Sequence, residues 1–280
     1  MGSLALAIIG MFILNMTVFA TMVHAMAAQM QPPGLLPVKV LLVLGAVEVF
    51  ALITAYILRR GKSEKKQQAQ KKDYKQILIL FSACVLFLCA ATTYLRFVPA
   101  GAVTMMADIN RIDFFGVTND NPVTVMAYYI KSLGGISQAN AVCVVVPLLF
   151  YIPVVCALWE VATALFAEDA SKRNLCFLAE AVLVLFGNCM FSMTGIITSG
   201  LVQLSNILLA VALPTMFSLC FRIYHADKKN AIAYAVVGIL ILVCLYILDA
   251  VAFVLAAMTA FIFILLMIGR RYLPWLKSSN

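Results

Sequence analysis

Long apolar runs separated by short polar blocks make up most of this sequence. A helix needs about 20 apolar residues to cross roughly 30 Å of hydrocarbon. Lipid offers the backbone no hydrogen-bond partners, so a spanning segment must satisfy its own groups as a helix. The pattern predicts spans at 4–28, 35–58, 76–96, 138–166, 175–198, 201–221, 230–248 and 250–269. The last two form one unbroken apolar run. As a single helix it would be about 58 Å long at roughly 1.5 Å per residue, nearly twice the hydrocarbon thickness. A hairpin turning near Leu248-Asp249-Ala250 is expected instead, although that turn holds neither Gly nor Pro. The predicted fold class is all-α: a polytopic transmembrane helix bundle of about eight spans, built as a single transmembrane domain over residues 1–280.

The polar blocks orient these spans. Residues 59–75 carry Arg59, Arg60, Lys62, Lys65, Lys66, Lys71, Lys72 and Lys75, which the positive-inside rule assigns to the cytoplasm. Counting outward from this basic cytoplasmic loop puts Lys172, Arg173, Arg222, Lys228, Lys229, Arg270, Arg271 and Lys277 inside as well. Only Lys39, Arg96, Arg111 and Lys131 fall outside, and both termini lie inside (N-in/C-in). One misplaced span would scramble this asymmetry. The start, Met1-Gly2-Ser3-Leu4, has no basic segment and no small-residue cleavage pattern, so the first apolar run is expected to stay as a helix.

Composition agrees. The chain is 64% hydrophobic and 11% charged, against about 45–50% and about 25% in a soluble domain. The net charge of +8 is spread over the inter-span blocks, which reads as topology and not as a nucleic-acid surface. The expected location is a cell membrane, the inner membrane if the source is bacterial. The eight cysteines all sit in apolar runs without a Cys-x-x-Cys pair, as packed thiols do. Phosphate-loop, zinc-protease and nucleophile-elbow motifs do not occur. His24 and His225, the only two histidines, lie near opposite ends of spans, so no haem ligation is expected. Neither a metal nor a cofactor is predicted.

Three features could carry chemistry. The external loop 97–137 is long and holds Asp108, Arg111, Asp113, Phe114, Phe115, Asp120, Tyr128, Tyr129 and Lys131. Loops of this length usually bear function, and Asp108 with Arg111 can pair at i, i+3 if helical. The loop is expected to be ordered and partly helical, with Asp108, Arg111, Asp113, Tyr128, Tyr129 and Lys131 as ligand contacts; a capped helix with an ordinary ion pair gives the same pattern. Second, Glu48 sits near the middle of the second span, where a charged group costs about 2.5–3.5 kcal/mol on insertion scales. It is expected to face a polar neighbour or water. Third, Glu180, Asn188, Ser192, Gly195 and Ser199 line one face of the fifth span. That stripe serves as helix packing or as a cavity lining. Glu160 and Glu180 fall near the inner interface, within reach of inner Lys and Arg. Asp249 is expected to be solvated at its turn. Pro147, Pro153 and Pro214 interrupt helices.

The segment Asp108 to Gly135, closing on Leu133-Gly134-Gly135, together with Phe191-Ser192-Met193-Thr194-Gly195-Ile196, resembles the bacterial exopolysaccharide and O-antigen polymerases of the EpsG type. The likeness spans residues 105–255. The family's usual Arg after the Gly-Ile pair is Ile197 here, and its later His is absent from Tyr246-Ile247-Leu248-Asp249. The resemblance implies a membrane protein handling a lipid-linked glycan at the external face, with Arg96, Arg111 or Lys131 holding the lipid diphosphate. Two other functions fit the residues alone: a small-solute or ion transporter using Glu48 and the fifth-span stripe, or a non-catalytic membrane anchor of a respiratory or secretory complex, with partner membrane or peripheral subunits. Membrane lipid is a partner in every case, and nucleic acid in none.

Overall fold

A computed structural model describes residues 2–60, 101–118, 121–186 and 204–272. Every regular element among them is helical. We number them α1 (Gly2–Ala28), α2 (Leu36–Arg60), α3 (Ala102–Phe115), α4 (Pro122–Gly134), α5 (Gln138–Leu165), α6 (Ala170–Phe186), α7 (Leu204–His225), α8 (Lys228–Leu248) and α9 (Ala250–Tyr272). Six of these, α1, α2, α5, α7, α8 and α9, are long and apolar enough to cross a membrane, the signature of a multi-pass membrane protein. They match six of the eight expected spans. The span expected at 76–96 lies outside the described residues, as does the part of the one at 175–198 that follows Phe186, the last described residue of α6.

The chain divides into two compact units, one of residues 14–155 and one of residues 1–13 with 156–280. In the first, α1 stops because Met30 turns into the left-handed region (φ 48°) and Pro32-Pro33 cannot continue a helix. The turn closes through the Gln31 amide donating to the Met26 carbonyl at 3.0 Å. α3 buries Ala102, Met105, Ile109 and Ile112, spaced at three and four residues as one helical face requires. α4 starts where the Asn121 side chain accepts from the Val123 amide at 3.0 Å, with Pro122 in the first turn, and ends at Gly135 with φ 61°. Their core joins Phe19, Val23 and Met26 of α1 to Ile112, Val117, Val125 and Tyr129. α5 opens with a Ser137 cap and then a wide π-helical turn over Ala141–Val145. Pro147 explains the widening: it has no N–H to give the Cys143 carbonyl, so the regular ladder cannot run through this point.

In the second unit, Asp169 caps α6. Its Oδ1 accepts from the Ser171 and Lys172 amides at 3.0 and 3.1 Å. The Lys172 amide leads the effects that hold the Asp169 carboxyl below its ordinary range. The apolar run 230–269 is a hairpin. α8 ends at Leu248, Asp249 is extended, and α9 starts at Ala250. Both arms lie along the same length of α7. Gly238 of α8 faces Met216 and Leu219, the Phe263 ring of α9 meets Phe217 at 5.4 Å, and Asp249 between them accepts from Ser205 near the start of α7. A single straight helix could not touch α7 at matching heights on both sides of residue 249. Asp249 is not a bare solvated turn residue, as the sequence implied. Its Oδ1 accepts from the Ala252 amide at 2.7 Å and so caps α9 without help from Gly or Pro.

Candidate functional site

The segment expected to be external forms two helices, α3 and α4, held on the α1–α2 connection. Gly116 makes the join. Its φ of 76° and ψ of −166° suit glycine alone, and a Cβ there would sit 2.7 Å from the Met30 carbonyl oxygen. This close approach lets the Val117 amide donate to the Gln31 carbonyl at 3.0 Å. A second tie comes from α4, where the Tyr129 hydroxyl donates to the Gly34 carbonyl at 2.6 Å. Burial first, then the neighbouring Tyr128, push the Tyr129 pKa up. The Gln138 side chain donates to the Met106 carbonyl and fastens α3 to the start of α5.

These contacts sort the ligand candidates. Arg111 pairs with Asp108 at 3.6 Å in the expected i, i+3 geometry, and Lys131 pairs with Asp113 at 3.0 Å across the two helices. Lys131 is half-buried, Asp113 is exposed, and Arg111 is 69% exposed at its side chain. Tyr128 stacks edge-on against Tyr129 at 5.8 Å. Tyr129 itself is buried against Phe19, with its hydroxyl already used. It belongs to the framework of this element.

Beside α4 runs an apolar groove of about 430 Å3. Phe19 of α1, Val38, Leu41 and Leu42 of α2, and Met126, Ile130 and Leu133 of α4 line it. Lys131 follows the lining residue Ile130 in the sequence and pairs with Asp113, and neither charged side chain lines the groove.

Glu48 stands at the midpoint of α2, and its carboxylate accepts from Asn15 at 2.7 Å. Asn15 stands at the midpoint of α1, so the pair joins two spans at the same height. The other carboxylate oxygen, Oε1, is buried without a hydrogen-bond partner. A carboxylate at this depth needs such an amide, because hydrocarbon supplies no donor.

The second unit holds a buried ion pair. Glu160 of α5 is fully buried and accepts from Arg222 of α7 at 2.8 Å. The same Arg222 nitrogen donates to Thr163 at 2.9 Å, and the guanidinium lies 5.9 Å over the Tyr234 ring. Glu160 therefore finds its cation in Arg222, one of the basic residues that the charge pattern led one to expect at the inner face. Arg173 lies 5.5 Å over Trp159, which meets Phe177 edge-on at 5.2 Å. Glu180 accepts from the Cys176 thiol at 3.4 Å, one turn earlier on α6. The rest of the fifth-span stripe, Asn188, Ser192, Gly195 and Ser199, lies outside the described residues, as does the Phe191–Ile196 stretch.

Sequence reasoning missed Asn15, Thr163 and the capping role of Asp249. The one available signal was a lone polar residue inside an apolar run, and Asn15 is such a residue. In comparisons with known proteins, no family model, no curated protein and no solved structure matches this chain.

Proposed function

We propose that this multi-pass protein holds a lipid-linked glycan at the external face of the membrane. In this reading the hydrocarbon chain occupies the groove between α1, α2 and α4, and Lys131 holds the diphosphate. The groove carries the reading. Its lining is apolar over about 430 Å3, so a small polar solute would find no hydrogen-bond partner there, while a lipid chain needs none. The half-buried Lys131 follows the lining residue Ile130 in the sequence, and a lysine ammonium is a common phosphate partner as a compact point charge. Asp108 and Asp113 supply carboxylates for sugar hydroxyls on the same element. The EpsG-type resemblance points to the same ligand class and to polymerase-like chemistry on it.

The test is photolabelling of the full chain in nanodiscs with a diazirine-bearing polyprenyl diphosphate sugar. Label is expected in the peptides containing Leu41 and Ile130, competed away by unlabelled polyprenyl diphosphate. Lys131→Ala should weaken competition about tenfold, the size of one lost charge-assisted contact. Label competed equally by phosphatidylcholine would assign the groove to bulk lipid and overturn the proposal.

A further inference from the structure

Phe114 and Phe115 end α3 with 82% and 68% of their surface exposed. Their rings are tilted to each other at 6.5 Å, without burying either one. Arg111, three and four residues earlier, shares their side of the helix and is also exposed. Exposed aromatic pairs are unusual on a surface facing water.

The backbone fixes the height of these rings. Gly116 directly follows Phe115 and packs on the Met30 and Gln31 carbonyls, and the next amide, Val117, bonds to Gln31. Met30 and Gln31 belong to the short connection between α1 and α2, both of which are long and apolar enough to span. A connection between two spans lies at the membrane surface. The two rings are therefore held at headgroup depth, where aromatic side chains are enriched and a nearby arginine can reach lipid phosphate.

We propose that Phe114 and Phe115 insert into the headgroup–acyl boundary of the leaflet covering the α1–α2 connection, with Arg111 on lipid phosphates. The pair pins the C-terminal end of α3 to the bilayer. This inference needs only the spanning of α1 and α2 and is independent of the glycan reading.

The experiment places 5-hydroxytryptophan at position 114 by amber suppression, so that it can be excited apart from Trp159 and Trp275. The full chain is reconstituted in phosphatidylcholine vesicles carrying quenchers at the headgroup, at a shallow acyl carbon or at a deep one. The expected result is loss of most of the emission to the headgroup and shallow quenchers, with little loss to the deep quencher or to aqueous iodide. Quenching by iodide and by no lipid-attached group would overturn the proposal, leaving the rings free for a soluble ligand. Shielding from iodide that appears only at high protein-to-lipid ratio would also overturn it, assigning the patch to a second copy of the chain. Phe114→Ser/Phe115→Ser is the companion variant. It should keep the native helix content and lose protection of the Val117 amide from exchange; unchanged protection would count against the pinning role.

Discussion

Arg222→Met is expected to destabilise the protein by roughly 3–5 kcal/mol, the cost of leaving a buried charge without its partner. Glu160 is fully buried, and Arg222 pairs with it at 2.8 Å. The same substitution strips Thr163 of its donor and Tyr234 of its overlying cation. Arg222→Lys should be milder but not neutral: an ammonium restores the charge but not the planar guanidinium that lies over the Tyr234 ring. The double variant Glu160→Met/Arg222→Met should regain most of the loss, since two apolar side chains need no desolvation. Unfolding by denaturant titration in mixed micelles measures all three. A single Arg222→Met variant as stable as the parent would show that the pair does not hold α5 to α7.

Gly116→Ala should release α3 and α4 from the α1–α2 connection. The backbone at Gly116 lies in a region that costs other residues roughly 1–3 kcal/mol. The added methyl would also meet the Met30 and Gln31 carbonyl oxygens at 2.7 and 2.9 Å. Neither oxygen can give way easily, because the Gln31 carbonyl accepts the Val117 amide and the Gln31 amide closes the turn after α1. Hydrogen exchange at Val117 reads the effect directly. Fast exchange in Gly116→Ala, with α1 and α2 still protected, is the expected outcome. Parent-like protection would mean that the close approach at Gly116 does not hold the element in place.

Helix positions were legible in the sequence because membrane spanning is a one-dimensional requirement: enough apolar residues in a row. The break at Asp249 could be placed for the same reason, from length alone. The Asp108–Arg111 pair was also legible, since it lies within one turn. What could not be read was which helices meet. Asn15 and Glu48 are 33 positions apart, and Glu160 and Arg222 are 62 apart. Apolar composition is nearly the same on every span, so it says nothing about neighbours. Tyr129 looked like a ligand contact because its helix was expected to be exposed; its hydroxyl instead reaches Gly34, 95 positions away. The groove was invisible for a related reason. Its lining residues, from Phe19 to Leu133, come from three helices and carry no motif.

The placement of α3 and α4 on the external face is the claim on which the glycan reading depends. Reporter fusions made after Lys72 and after Asp120 test it most directly. The charge asymmetry predicts a cytoplasmic signal from the first fusion and an external signal from the second. A cytoplasmic signal from both would put the α3–α4 element, with Lys131 and Asp113, on the wrong side of the membrane for an external glycan and contradict the proposal.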